Sequence, residues 1–364
     1  MIVRFGFVAM SMLLESASPS RTMTYANFSK LDDREAALRK LERLAEENLN
    51  NTLRLLRHCR GSGIQMYRFS SKLIPLATHD AVKDWDPFPA LADKFAEIGA
   101  FVRESGMRVS FHPDHFCVFS TPRPEVLASS RNDMIYHVRM LEAMGLDESA
   151  KNNIHVGGAY GDKQVAGERF IRQFGELDAR LRNRVTLEND DKTFNVRETL
   201  DIAEAVQIPM VLDIHHHAVN DGGESEESLI GDLWPRIVGT WHRENDRLSM
   251  NADDDVVEKL GAAAPLEAAS GSVKDWPGGA MVLPPKIHAS SPKSVTDPRG
   301  HADYVEPEQL LRFLQSVSGS VPILDCMLEA KRKDDALFRL MDDFRAMEAR
   351  GERLRVVGPS AIEV

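Results

Sequence analysis

Six short apolar segments of this 364-residue chain end on, or just before, a side chain able to hold a cation: His112, His155, Glu188, Asp213, His288 and Glu329. Imidazole suits manganese, iron and zinc, and carboxylates can bridge two ions. No thiolate accompanies them, so a soft or structural site is disfavoured. A set of imidazoles and carboxylates drawn from separate segments has one economical explanation, a polynuclear site for divalent cations. Three local runs sharpen it. Asp213-Ile-His-His-His217 places a carboxylate and three imidazoles at one segment end. Strand alternation would send His215 the way of Asp213, and a turn into a loop would free His216 and His217. The run His155-Val-Gly-Gly-Ala-Tyr-Gly161 follows an imidazole with glycines that let backbone approach an ion or phosphate, or simply turn tightly. Lys286, two residues before His288, faces the same way by the strand period of two. It could bind substrate phosphate, act as a modified-lysine ligand, or be a salt-bridged core residue. Glu188 and Glu329 need charge partners if buried, and Lys192 and Lys331 stand close in sequence to supply them.

The elements that would position these groups are strands. Candidates are Val3 to Ala9, Gln65 to Ser70, Arg108 to His112, Asn153 to Val156, Arg184 to Glu188, Pro209 to Ile214, Lys286 to Ala289 and Pro322 to Glu329. Between them run amphipathic stretches at helical spacing: Asp33 to His58, Ala90 to Ser105, Asn132 to Met144, Gly167 to Leu181 and Asn195 to Ala205. Repeated βα units of this kind predict an α/β fold, a TIM-type (β/α)8 barrel in which strand ends converge on one face. The barrel is expected to fill residues 1–350 as a single domain, with 351–364 a short extended tail. From about 244 to 284 the sequence turns rich in Asp, Ala, Gly, Ser and Pro, which predicts a solvated acidic insertion before the seventh strand.

Composition fits one large domain, with 43% hydrophobic residues and three cysteines at no metal-type spacing. Reduced thiols point to a cytoplasmic protein, and a monomer is the default expectation. Arg4 followed by apolar Phe5 to Leu14 imitates a secretory leader, but a first barrel strand explains the same residues. No other run approaches the ~20 apolar residues a membrane helix needs. The net charge of −11 argues at first against nucleic acid, since duplex binding requires cations against phosphates. Between Gly222 and Pro285, however, twelve acidic residues face five basic ones. That segment holds most of the excess, and a cationic rim elsewhere can survive.

Phe5-Gly-Phe-Val8, Tyr67-Arg-Phe-Ser-Ser71 with Ala77-Thr-His79, Ser110-Phe-His-Pro113, Ile154-His-Val-Gly-Gly-Ala-Tyr-Gly161, Leu187-Glu-Asn-Asp190, Lys286-Ile-His288 and Glu329-Ala-Lys331 follow one another in chain order. This series resembles the ultraviolet damage endonucleases, a family related to endonuclease IV. The resemblance implies two or three divalent metal ions, manganese first, with zinc, cobalt or magnesium as alternatives. Their ligands would be His112, His155, Glu188, Asp213, His216, His288, His301 and Glu329. Glu188, Lys286 and His79 would form the catalytic set, His79 as a ligand or phosphate contact and Lys286 as a residue that can be carboxylated. The substrate would be double-stranded DNA carrying ultraviolet photoproducts or abasic sites, hydrolysed on the 5′ side of the lesion to leave a 3′-hydroxyl and a 5′-phosphate. His115, Phe116, Phe7, Tyr160, Lys192 and Lys331 would lie along the DNA. After His112-Pro113 the family usually has a glutamine and an aromatic that probe the flipped bases, whereas this chain has His115-Phe116. Where some members carry a tyrosine, it has Phe7. Two other readings of the residues stay open: a metal-dependent sugar isomerase or epimerase on a related barrel, and a non-catalytic module that binds damaged DNA.

Overall fold

The computed structural model describes residues 1–114, 116–251 and 283–364. Strands β1 (Ile2–Val8), β2 (Met66–Arg68), β3 (Arg108–Phe111), β4 (Lys151–His155), β5 (Val185–Glu188), β6 (Met210–Asp213) and β7 (Lys286–Ala289) pair in parallel, each with the next. An antiparallel ribbon of β8 (Pro292–Ser294) and β9 (Asp297–His301) follows. Then β10 (Ile323–Leu328) pairs with β7 on one side and β1 on the other, closing an eight-stranded barrel. All eight expected strands are present, their ends shifted by no more than two residues.

Alternation along each strand divides the barrel into two environments. The outward side chains Val3, Phe5 and Phe7 of β1 are fully buried beneath the helices, Phe5 against Phe344 of the helix Lys333–Ala349 at 5.7 Å between ring centres. The interior is unusually polar for a barrel of this type, whose lumen is ordinarily filled by branched apolar residues. In its lowest tier, Asp325 of β10 accepts from Arg4 of β1 at 2.7 and 2.9 Å and from Arg108 of β3 at 2.6 Å. One step up, Lys286 of β7 donates to Ser110 of β3 at 3.0 Å, straight across the lumen. Two residues farther along those strands come His112 and His288.

The helix Trp234–Asn251 seals the N-terminal end. Trp241 donates to the Met210 carbonyl at 2.7 Å and lies under the Arg108 guanidinium, 5.0 Å from the ring centre. Glu244 pairs with buried Lys151, and Asn245 exchanges two hydrogen bonds with the backbone of Leu283. The expected solvated insertion therefore begins later than 244, because these side chains are packed against the barrel floor. Residues 252–282 of that expectation lie outside the described residues. The expected tail also differs: β11 (Arg355–Gly358) and β12 (Ala361–Glu363) form a hairpin, and β12 pairs antiparallel with β1 from Ile2 to Arg4. This extends the sheet where β2 is too short to cover the first half of β1.

Two helices depart from expectation. One begins at Pro124, eight residues before Asn132, with proline in the first turn where its missing N–H costs nothing. The stretch Gly167 to Leu181 is in fact two helices, Lys163–Gly175 and Ala179–Arg182, the second started by the Asp178 side chain accepting from the Leu181 amide.

Candidate metal centre

Glu188 ends β5 at the centre of the barrel mouth, wholly buried. Its Oε1 lies 3.0 Å from His288 Nδ1, and its Oε2 lies 3.2 Å from His112 Nε2 and 4.0 Å from His155 Nε2. Asn153 donates to the same Oε2. His216 Nδ1 is 3.6 Å from Oε1. Burial alone would raise this carboxyl, but the charges of His288 and His155 and the hydrogen bonds of His112 and His288 hold it well below the usual carboxylate range.

Two groups of ligand atoms share this residue. His112, His155 and Glu188 form one, and Glu188, Asp213, His288 and Glu329 the other, with the atoms of each within 4.8 Å of one another. Asp213 caps the short helix Ile214–Val219 by accepting from the His216 amide at 2.7 Å, and this turns His216 towards Glu188. The chain thus becomes helical at once after β6, instead of continuing the alternation that would have aimed His215 with Asp213. His215 is buried and stacks on His301, 5.4 Å between ring centres. Asn189 fixes the ends of β5 and β6 together, donating to the Asp213 carbonyl at 3.0 Å and accepting from the Asp213 amide at 2.9 Å.

The imidazoles are oriented for cations. His112, His155, His216 and His301 each place Nδ1 within 2.9 to 3.2 Å of a backbone carbonyl: those of Pro113, Glu188, Asn189 and Glu329 respectively. A carbonyl only accepts, so Nδ1 carries the proton and a neutral ring keeps a bare lone pair on Nε2, as in metal-binding histidines. On His112 that lone pair faces Glu188 Oε2, an arrangement that calls for a positive charge between them. Burial pushes the His112 imidazolium down, which disfavours a proton in that role. Asp213 Oδ2 and His288 Nε2 are buried without a hydrogen-bond partner. Each such atom costs about 1–3 kcal/mol unless something binds it. Burial raises the Asp213 carboxyl, with Glu188 and Glu329 adding to it and His216 opposing. Against the effect of burial, Asp213, Glu188 and Glu329 push His216 up to about 9. The donor set, its orphaned atoms and its electrostatics therefore fit divalent cations.

The remaining predicted residues fall in several places. Lys286 is buried beneath the ligands; burial, then the charges of Arg108 and Arg68, push its ammonium down to about 7. His301 lies at the rim, Nδ1 3.9 Å from Glu329 Oε2. His79 is exposed, stacks on Tyr25 at 4.7 Å and caps the turn Asp80–Val82; it belongs to neither ligand group. Phe116 and Tyr160 are exposed on the loops after β3 and β4, and Lys192 and Lys331 are exposed too. These lysines are not the partners of the buried carboxylates. That role falls to the imidazoles and to Arg68 of β2, which pairs with Glu329. Phe7 is corrected as a DNA contact, since it points outward under the helices with its ring edge against Tyr67. His115 lies outside the described residues. Sequence reasoning missed Arg68 and Asn189, although both sit inside motifs quoted above and Arg68 is one of the alternate, inward positions of its strand.

The family model for UV-endonuclease UvdE matches residues 3–255 and 266–363. The chain belongs to this family. The UV DNA damage endonuclease of Bacillus velezensis is 40% identical over 349 residues, covering 95% of each chain. That of Halalkalibacterium halodurans is 38% identical over 364 residues, covering 100% of this chain and 99% of its own. Among solved structures, the crystal structure of SacUVDE matches with a TM-score of 0.68 and 26% identity, covering 96% of this chain and 99% of that one. The UvdE match takes in all eight barrel strands except Ile2 of β1, and all the residues of both ligand groups.

Proposed function

We propose that this protein is an endonuclease of ultraviolet-damaged duplex DNA, which hydrolyses the phosphodiester on the 5′ side of a photoproduct or abasic site and leaves a 3′-hydroxyl and a 5′-phosphate. Family membership supports the substrate class. The observation that carries the chemistry is Glu188, a buried carboxylate shared by two ligand groups, with imidazole nitrogens aimed at it from the ends of β3, β4 and β7. In this reading His112, His155, Glu188, Asp213, His216, His288, His301 and Glu329 hold two or three divalent cations, manganese first. Bound there, such ions supply Lewis acidity towards the phosphodiester and its leaving oxygen.

The chain's own groups do the rest. Glu188 links the two ligand groups, and Arg68 holds Glu329 from the side of β2. Lys286 and His79 complete the catalytic set, the first under the ligands and the second at the exposed edge as a phosphate contact. Phe116 offers an exposed ring suited to filling the gap left by unstacked bases.

The test is an end-labelled duplex with one defined photoproduct, incubated with the protein and manganese. A single cut directly 5′ of the lesion, abolished by EDTA, is expected. An uncut duplex, or a cut elsewhere, overturns the reading.

A further inference from the structure

Three strands intervene between β3 and β7 in either direction round the barrel: β4, β5 and β6 one way, β2, β1 and β10 the other. The loops that follow β3 and β7 therefore stand on opposite sides of the mouth, with the ligand groups between them. The first presents Phe116, 72% exposed. The second presents the β8–β9 ribbon, whose tip residue Val295 is 98% exposed. The turn does not require valine there. It is built by Ser294, whose Oγ lies 3.1 Å from Thr296 Oγ1 and accepts from the Asp297 amide at 3.0 Å.

The ribbon is rooted in the site itself. Its last residue, His301, has Nδ1 2.9 Å from the Glu329 carbonyl, and Ala302 is bonded on one side to Ser291 and on the other to Lys331. From the Pro292–His301 pair to Val295 are three residue steps, so the tip stands about 10 Å out from the rim. That is enough to pass a sugar–phosphate strand lying on the ligands and reach into a groove about 7.5 Å deep. Lys293 and Arg299 on the ribbon and Lys331 at its foot are exposed; Lys293 pairs with Asp297, the ribbon's one acid, at 3.0 Å, and Arg299 lies 3.8 Å from Asp191, both of them surface pairs that a phosphate can replace at little cost. On a chain of net charge −11 the ribbon itself, with two cations to one carboxylate, is net positive.

We propose that the β8–β9 ribbon is a second DNA-binding arm, which grips the duplex backbone with Lys293 and Arg299 and lays Val295 in the groove across from Phe116. The proposal rests on the protein being a nuclease of duplex DNA.

Binding is read by fluorescence anisotropy on a duplex with a single cyclobutane dimer, over a range of salt, using the full chain carrying Glu188→Gln to prevent cutting. Adding Lys293→Ala with Arg299→Ala removes two phosphate contacts and lowers the slope of log K against log salt by about 1.8, on damaged and intact duplex alike. Val295→Ser weakens binding by about tenfold, the lower end of the worth of covering one valine side chain. Because Cys59, Cys117 and Cys326 are all buried, Val295→Cys provides a single accessible thiol. It should form a disulfide with a thiol tethered to a base within a few nucleotides of the lesion. Unaltered slope and affinity together with no cross-link, in a parent protein that still nicks damaged duplex, overturn the arm alone. A parent that neither binds nor nicks overturns both the nuclease reading and the arm.

Discussion

Glu188 is surrounded by four imidazoles, and removing its charge is the most direct test of the site. Glu188→Gln keeps the shape but leaves a neutral amide between the two ligand groups. Nicking should fall by about a hundredfold or more, since a ligand that also sets the reacting geometry contributes several kcal/mol. Manganese retained after dialysis should drop, while affinity for damaged duplex stays within a fewfold. Arg68 gives the complementary experiment. It is the nearest fixed cation to Glu329, and Arg68→Ala leaves that carboxylate without it. The metal-free protein should lose about 3 kcal/mol in urea unfolding, the lower end of the cost of breaking a buried pair, because both side chains open slightly to the mouth. Manganese should restore part of the loss; an unchanged midpoint without metal would show that the pair contributes nothing. The ligands themselves were legible in the sequence because histidines and carboxylates at the ends of apolar runs are few. Arg68 was not, because a strand arginine carries no local sign of whether it faces lumen or solvent, and its partner lies 261 residues away.

Strands were the most legible elements, since each is a short run buried on both faces and bounded by turn residues. What escaped were elements stabilised by distant pairing. The β8–β9 ribbon is polar and short, and β11 and β12 gain their order from β1, more than 300 residues earlier. The helix Trp234–Asn251 likewise runs into an acidic stretch because Glu244 and Asn245 find partners on β4 and at Leu283. Removing residues 355–364 should therefore lower the melting temperature by several degrees and promote self-association, because the first half of β1 becomes an open edge. Equal melting and a monodisperse truncated protein would show that β12 is dispensable. Gly6 is a second element-scale constraint. A Cβ there would lie 2.4 Å from the Met66 carbonyl oxygen, so Gly6→Ala forces β1 and β2 apart. A loss of about 1–3 kcal/mol is expected from overpacking of this kind. It should be accompanied by weaker manganese retention, since Arg68 follows Met66 on the displaced strand.

At the scale of the whole molecule, one polar column links barrel closure to the candidate metal centre. Asp325 joins β10 to β1, where the barrel closes, and to β3, and the strands it joins carry His112 and lead to Glu329 two tiers above. Burial tends to raise its carboxyl, but Arg4 and Arg108 outweigh that and hold it below the ordinary aspartate value. A carboxylate whose folded pKa is depressed contributes stability that is fully present above the unfolded value, ~3.9, and is lost as the pH falls through the folded one. Asp325→Asn leaves two arginines facing a neutral amide at the barrel floor. It should cost about 3–5 kcal/mol at pH 7, measured by urea unfolding of the metal-free protein. The gap between the two proteins should stay constant down to about pH 4 and then narrow as acid protonates Asp325 in the parent. A gap that widens with acid, or one already closed at pH 6, would mean that the arginines do not hold this carboxylate ionised. Manganese retention should fall together with stability in this variant, although no candidate ligand has been touched, because His112 and Glu329 follow directly on β3 and β10, two of the strands that Asp325 ties together.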